Sequence, residues 1–170
     1  TPAKAAGGKT SPATPRAEEL SNDQLLCTLR AVLTDCGALA RDELIRQAAR
    51  KLGFAQTREP VRVVLDRAIR LAVRSGIAAQ TAGVLSLEAK SIEGYDRDFL
   101  KQHLLGVLGR TWREKYEVPV RFARSLGFAR TGPKIEETVW SLMRALTRAG
   151  QLETEGRGAG ARYRKAKTVP

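Results

Sequence analysis

Nearly the same nine-residue sequence occurs twice in this chain of 170 residues, as ARKLGFAQT at residues 49–57 and as ARSLGFART at residues 123–131. Seven of the nine positions are identical, and the second stretch begins 74 residues after the first. The same offset, without gaps, pairs Gly76 with Gly150 and matches apolar residues to apolar residues between these points. Internal repetition of this kind predicts a duplicated domain.

The repeat divides the chain into three predicted parts. Residues 1–20 are predicted to be a disordered linker, because the first sixteen contain no large apolar residue to offset the entropy of ordering the backbone. Residues 21–90 form the first copy and residues 91–170 the second copy, with the boundary near residues 89–94.

The first copy is predicted to form three helices followed by a β-hairpin. Helical spacing of apolar residues predicts helices over residues 23–35, 41–52 and 60–75, and each is followed closely by a glycine, as helix ends commonly are. Residues 77–80 and 84–87 flank a short turn and are predicted to be the two strands of the hairpin. This element order is typical of a winged helix, in which the second and third helices form a helix-turn-helix pair.

The second copy repeats this pattern. Its helices are predicted over residues 99–108, 117–126 and 133–149, and its hairpin strands over residues 152–155 and 161–164. The segment between its first and second helices is left without an assigned structure. The fold class predicted for the whole chain is therefore mostly α, an α+β tandem of winged helix-turn-helix domains.

The charge of the chain favours a polyanionic partner. Lys and Arg number 30 against 18 Asp and Glu, which gives a formal net charge of +12. With 42% hydrophobic residues the chain has enough apolar surface to fold. It has no apolar run of about 18 residues and no signal peptide pattern, so we expect no membrane partner and a cytoplasmic, nucleoid-associated location.

The third helix of the first copy has a basic outward face. At 100° per residue, Val61, Leu65, Ala68 and Ala72 share one side of the helix, which we expect to be buried. In a winged helix on DNA, the opposite side commonly enters the major groove. The predicted DNA-contacting residues are Arg58, Arg62, Arg67, Arg70 and Arg74. The alternative is a solvated face on which Asp66 and Arg70 form an ordinary helical ion pair.

The second copy has a more mixed outward face and a basic C-terminal hairpin. Glu136 and Glu137 would repel phosphates, although they also suit the positive end of the helix dipole. The residues predicted to contact DNA are Arg130, Lys134, Arg144 and Arg148 around the third helix, and Arg157, Arg162, Arg164 and Lys165 on the hairpin. A frayed basic tail that binds polyanions weakly is the alternative for the hairpin residues.

Trp140 lies on the outward side of the third helix of the second copy, which is unusual for an indole. Its partner would be the other copy, another protein or an unstacked base. We favour contact with the other copy.

The sequence lacks the patterns of a catalytic or metal site. His103, the only histidine, lies among apolar residues and is predicted to be a packed helical residue. Cys27 and Cys36 lack metal-ligand spacing and are predicted to be reduced core residues. No paired nucleophile and base stand out, so we expect neither an enzyme nor a metal, cofactor or small-molecule ligand.

Several of these residues also carry a resemblance. The chain resembles a small winged-helix domain of unknown function in residues 41–44 and 48–54, in the Arg-rich third helix and in the GIAAQTAGVL hairpin at residues 76–85. That domain occurs near the C-termini of very large bacterial helicase-nuclease proteins, some linked to defence against foreign DNA. The resemblance covers residues 38–87 well and residues 118–150 in part. It implies an accessory, non-catalytic role and partners among other domains or subunits of such an assembly.

The sequence therefore predicts a tandem winged-helix protein that binds double-stranded DNA, chiefly by neutralising phosphates. The scarcity of aromatic residues, 5% of the chain, argues against recognition of single strands by stacking. A protein-interaction adaptor and a stand-alone transcription regulator are the alternatives.

Overall fold

The structure is a computed structural model that describes residues 16–167. These residues form six α-helices: α1 (Asn22–Cys36), α2 (Arg41–Lys51), α3 (Glu59–Arg74), α4 (Arg97–Leu108), α5 (Glu117–Ser125) and α6 (Pro133–Arg148). They also form six strands: β1 (Leu39–Ala40), β2 (Ala78–Thr81), β3 (Val84–Leu87), β4 (Arg113–Glu114), β5 (Leu152–Glu155) and β6 (Arg162–Lys165). The prediction of a mostly helical α+β chain is confirmed.

Two small antiparallel sheets accompany the helices, one in each copy. Their strand orders are β1-β3-β2 and β4-β6-β5, so the central strand of each sheet is the last one in sequence. The predicted hairpins, β2–β3 and β5–β6, are present to within a residue. The edge strands β1 and β4 were not predicted, because a two-residue strand shows no alternation and its partner lies far along the chain.

The 74-residue offset found in the sequence also relates the two copies in structure. It maps β1 onto β4, α3 onto α6 and β2 onto β5, residue for residue. The unassigned segment of the second copy thus contains β4, the counterpart of β1. The last strand departs from this register, because the turn between β5 and β6 is longer and includes Gly156 and Gly158 at positive φ.

The buried apolar side chains form two clusters. The first contains Leu29, Leu44 and Leu65 of the first copy, and the second contains Leu104, Phe122 and Val139 of the second copy. In α3 the side predicted to be buried, Val61, Leu65, Ala68 and Ala72, is buried in the first cluster. The amphipathic spacing therefore places the arginines of α3 on the outer side.

Part of the predicted linker packs against the first copy. Ala17–Glu19 form a single 3₁₀ turn, Ala17 is buried in the first cluster, and Leu20 packs against it. The prediction of disorder is therefore wrong for residues 16–20, because Ala17 and Leu20 supply apolar surface next to α3. Residues 1–15, also assigned to the linker, lie outside the described part of the chain.

Arg30 joins the two copies. It projects from α1, is 5% exposed, and its guanidinium donates three hydrogen bonds to residues beyond the first copy's sheet. The acceptors are the carbonyl oxygens of Leu126 at 2.7 Å and Ala89 at 2.9 Å, and the Tyr95 hydroxyl at 2.5 Å. The guanidinium carbon of Arg30 also lies 4.1 Å from the centre of the Phe128 ring. A planar guanidinium with several N–H donors suits this set of acceptors, and the role of Arg30 was not predicted from the sequence.

Gly127 allows the two copies to pack closely at this contact. Its φ is +74°, and a Cβ built there would lie 2.8 Å from the Leu26 carbonyl oxygen of α1. Its counterpart in the first copy, Gly53, also has a positive φ of +89°, but a Cβ there would meet no atom within 4 Å. The shared glycine is thus needed for the helix end in both copies and for close packing only in the second.

Candidate nucleic-acid interface

The outward face of α3 carries exposed arginines, as predicted, but acidic neighbours neutralise several of them. Asp66 lies 2.7 Å from the Arg41 guanidinium and 2.6 Å from that of Arg70. Hydrogen bonds from Arg41 and then Arg70 hold the pKa of Asp66 below its usual range. Arg62 lies 2.5 Å from Asp42. The helical ion pair between Asp66 and Arg70, which was the alternative to DNA contact, is present. Together with the other two pairs it lowers the net charge of this face.

Two arginines of α3 remain available to an anion. Arg67 and Arg74 are exposed, and within residues 16–167 neither forms an ion pair. Arg58 is exposed just before the helix, and its Nε donates to the Gln56 side chain at 3.3 Å. Of the five predicted contacts in the first copy, Arg67 and Arg74 are the best placed to meet a phosphate, together with Arg58.

The outward face of α6 differs from that of α3 at one decisive position. The repeat places Trp140 where α3 has Asp66, and Lys115 where the first copy has Arg41. The ion pair between Arg41 and Asp66 is replaced by a cation–π contact, in which the Lys115 ammonium lies 5.3 Å from the centre of the indole ring. Because Trp140 carries no charge, Arg144 has no acid corresponding to Asp66 beside it.

Trp140 therefore has a different role from the one favoured by the sequence. It packs against the core of its own copy, and the Tyr116 ring meets it edge to face at 6.3 Å between centroids. The contact between the copies is made by Arg30 instead. The reason is geometric, since Lys115 and Tyr116, which follow β4 of the same copy, lie beside the indole.

A groove of about 800 Å³ opens between α6 and this sheet. Aromatic and aliphatic side chains form most of its surface, and cationic side chains complete it. The lining residues are Lys115, Tyr116, Trp140, Met143, Arg144, Thr147, Arg148, Thr154 and Tyr163. Lys115, Tyr116 and Tyr163 were missed by sequence reasoning, although the 74-residue offset already places Lys115 opposite Arg41.

Two predicted contacts precede α6. Arg130 is exposed in the connection between α5 and α6. Lys134 pairs with Glu93 at 2.8 Å, and the hydrogen bond with this carboxylate raises the pKa of Lys134. Because both side chains of the pair are exposed, the bond is weak and Lys134 can exchange it for a phosphate.

The C-terminal hairpin is less basic than its sequence suggests. Arg162 pairs with Glu155 at 2.7 Å across the strands. Arg164 pairs with Glu153 at 2.5 Å and lies 4.4 Å from the centre of the Trp112 ring. The bond from Arg164 lowers the pKa of Glu153. Arg157 and Lys165 are exposed, and neither forms an ion pair within residues 16–167, so they are the hairpin's available cations.

The residues considered for catalysis lie elsewhere. His103 is half-buried on α4, where its Nε2 lies 2.7 Å from the Ser125 hydroxyl and its ring stacks on Phe99. Burial lowers the pKa of His103. Both cysteines are free thiols, but Cys36 is exposed at the end of α1, so its prediction as a core residue is wrong. Within residues 16–167, no cluster of His, Cys, Asp and Glu is suited to a metal ion.

The chain matches no protein-family model, no curated protein and no solved structure. None of the helices in residues 16–167 has both the length and the apolar composition needed to cross a bilayer. What the site can do is therefore judged from its geometry and its charge.

Proposed function

We propose that the chain is a non-catalytic DNA-binding module built from two winged-helix domains, residues 21–90 and 91–170. In each copy the elements follow the order helix, short strand, helix, helix, strand, strand, and the first strand pairs with the last. This order supports a winged helix, in which the third helix follows a helix-turn-helix and the hairpin forms the wing.

The observation that carries the proposal is the exposed basic side of both third helices. Arg67 and Arg74 on α3, and Arg144 and Arg148 on α6, lie opposite the buried side and have no carboxylate partner among the described residues. Combined with a net charge of +12, this arrangement suits a duplex whose phosphates line both edges of the major groove.

The two copies contribute unequally in this proposal. Asp66 neutralises Arg41 and Arg70 in the first copy, whereas Trp140 leaves Arg144 unpaired in the second. We therefore assign the larger part of the phosphate contacts to α6 and the hairpin that follows it. We further propose that the module is an accessory part of a larger DNA-processing or defence protein, acting on DNA in the cytoplasm or nucleoid.

The test is a titration of a blunt-ended hairpin duplex, labelled for fluorescence anisotropy, at 50 and 200 mM NaCl. Each lost phosphate contact reduces the slope of log affinity against log salt by about 0.9, so replacing Arg144 and Arg148 together by Ala should reduce it by about 1.8. Arg46→Ala is a matched control, because Arg46 is an exposed arginine on α2 that pairs with Glu43. That variant should bind like the parent chain.

Asp66→Asn tests the unequal roles of the copies. Removing this carboxylate frees Arg41 and Arg70 to pair with phosphates, so affinity for the duplex should rise. Because Arg70 already pairs with Asp66 in the parent chain, Arg70→Ala should change the affinity by less than about twofold. Absence of duplex binding by the parent chain at 50 mM NaCl would contradict the proposal as a whole.

An adaptor that binds another protein is the second candidate. Glu136 and Glu137 are exposed about one helical turn before Trp140 in α6, and acids there are unfavourable for phosphate contact. Salt-independent affinity for DNA, or none, would favour this alternative.

A further inference from the structure

The groove between α6 and the second sheet concentrates aromatic residues that are scarce elsewhere. It contains two of the three tyrosines and one of the two tryptophans of the chain. Tyr116 is 63% exposed, and its ring is nearly perpendicular to that of Trp140, at 85°. Exposed rings of this kind offer flat surfaces on which a planar ligand can stack.

The charge of the groove selects the kind of planar ligand. Its lining includes Lys115, Arg144 and Arg148 and has no Asp or Glu. An apolar floor with several cations at its edge suits a ligand that has an aromatic ring and an anionic group a short distance away. A nucleotide has this combination, because its base stacks on aromatic side chains and its phosphate pairs with Lys or Arg.

The first copy provides an internal comparison. Where the second copy has Trp140 and Tyr116, the first has Asp66 and Asp42, and both acids pair with arginines. The corresponding surface of the first copy is thus closed by ion pairs and contains two carboxylates. At these two matched positions, the second copy has aromatic rings on which a base can stack and the first copy has carboxylates.

We propose that this groove binds an unpaired nucleotide of DNA, at a strand end, a gap or a flipped position. The base stacks on the exposed ring of Tyr116 and contacts the indole of Trp140 in the place of the Lys115 ammonium. The ammonium then pairs with a phosphate, as do Arg144 and Arg148. This inference rests on the proposed DNA binding and adds a preference for DNA with unpaired nucleotides next to a duplex.

The first experiment compares two DNA hairpins of equal duplex length, one blunt and one with a short single-stranded thymidine overhang. The parent chain should bind the overhang hairpin more tightly, and Tyr116→Ala should reduce this preference about tenfold, because base stacking on an aromatic ring contributes on that order. Affinity for the blunt hairpin should not change with this variant. Val63→Ala, a change at an exposed apolar residue on α3, is the matched control and should keep the preference.

A second experiment observes Trp140 directly. Trp112→Phe leaves Trp140 as the only indole, and stacking with a thymidine oligonucleotide should quench its fluorescence. Trp140→Phe keeps an aromatic ring against the core and should retain most of the preference for the overhang, whereas Trp140→Ala should lose it.

The outcomes separate this inference from the proposed function. Equal affinity of the parent chain for both hairpins overturns the nucleotide site but leaves duplex binding supported. Tight binding of the overhang hairpin with none of the blunt one supports the site and overturns duplex recognition. Binding to neither hairpin overturns both. Overhang preference without quenching of Trp140 assigns the unpaired strand to another surface and overturns the groove as its site.

Discussion

Replacing Arg30 by Leu should break the contact that joins the two copies. The substitution keeps an apolar side chain of moderate size on α1 but removes the donors to Leu126, Ala89 and Tyr95. Each hydrogen bond from a charged donor contributes about 2 kcal/mol, so the three together amount to about 6 kcal/mol. Burying a cation without a carboxylate partner costs several kcal/mol, and this cost disappears in the variant. We expect a net loss of about 3 kcal/mol.

Urea denaturation followed by circular dichroism measures this loss as a change in the free energy of unfolding. For a chain of this length, about 3 kcal/mol corresponds to a fall in the melting temperature of about 10 °C. Arg46→Ala is the control on the same copy, because the side chain of Arg46 is 61% exposed and its ion pair with Glu43 should contribute less than about 0.5 kcal/mol.

Arg30→Lys distinguishes geometry from charge. A single ammonium cannot reach the three acceptors that a planar guanidinium meets at once, so this variant should lose nearly as much stability as Arg30→Leu. A loss below about 1 kcal/mol for Arg30→Leu would refute the assignment of Arg30 as the joining residue. Full stability of Arg30→Lys would show that only the positive charge matters.

Two further predictions concern packing and pH. Gly127→Ala should destabilise the chain by about 1 kcal/mol more than Gly53→Ala, because both residues have positive φ but only Gly127 would meet a carbonyl oxygen; equal losses in urea denaturation would contradict the close approach to Leu26. Burial lowers the pKa of His103 below its unfolded value of 6.5, so the folded chain binds this proton less readily than the unfolded chain does. The stability linked to neutral His103 is present above pH 6.5 and is lost as pH falls toward the folded pKa. His103→Gln should therefore flatten the decline in stability between about pH 7 and pH 5, and an unchanged decline would contradict this reading.

Much of the helical framework could be predicted because its signals are local. Apolar spacing and terminal glycines placed α3 within two residues of its ends, and the buried side of that helix contains the residues expected. The edge strands β1 and β4 could not be predicted in this way. Each has two residues, and each becomes a strand only by pairing with a partner more than 40 residues later.

The candidate site was predicted less completely than the helices. The exposed arginines of both third helices lie where the periodicity placed them, but sequence could not show which are neutralised. Arg41 and Asp66 are 25 residues apart and meet only because α2 begins beside the middle of α3. Trp140 was correctly identified as unusual. Its neighbours could not be predicted, because Tyr116 follows β4 and Tyr163 lies in β6, and only the pairing of these two strands brings both tyrosines beside α6.

The position of Arg30 within α1 could have indicated from the sequence that its side chain is buried. It lies on the same side of α1 as Leu26, Leu29 and Leu33, so an arginine falls within an apolar stripe. A cation at such a position needs acceptors from elsewhere, but the sequence does not identify them, because they come from Ala89 at the end of the first copy and from Tyr95 and Leu126 of the second.

The sequence by itself determined the duplication, the order of the helices and hairpins, and the positive charge, since these depend on residue type and on spacings within one element. Only the tertiary structure decided how the copies are joined, which arginines are free, and that Trp140 opens a groove where Asp66 closes one. Those properties depend on contacts between segments far apart in the chain, and short-range periodicity contains no information about such contacts.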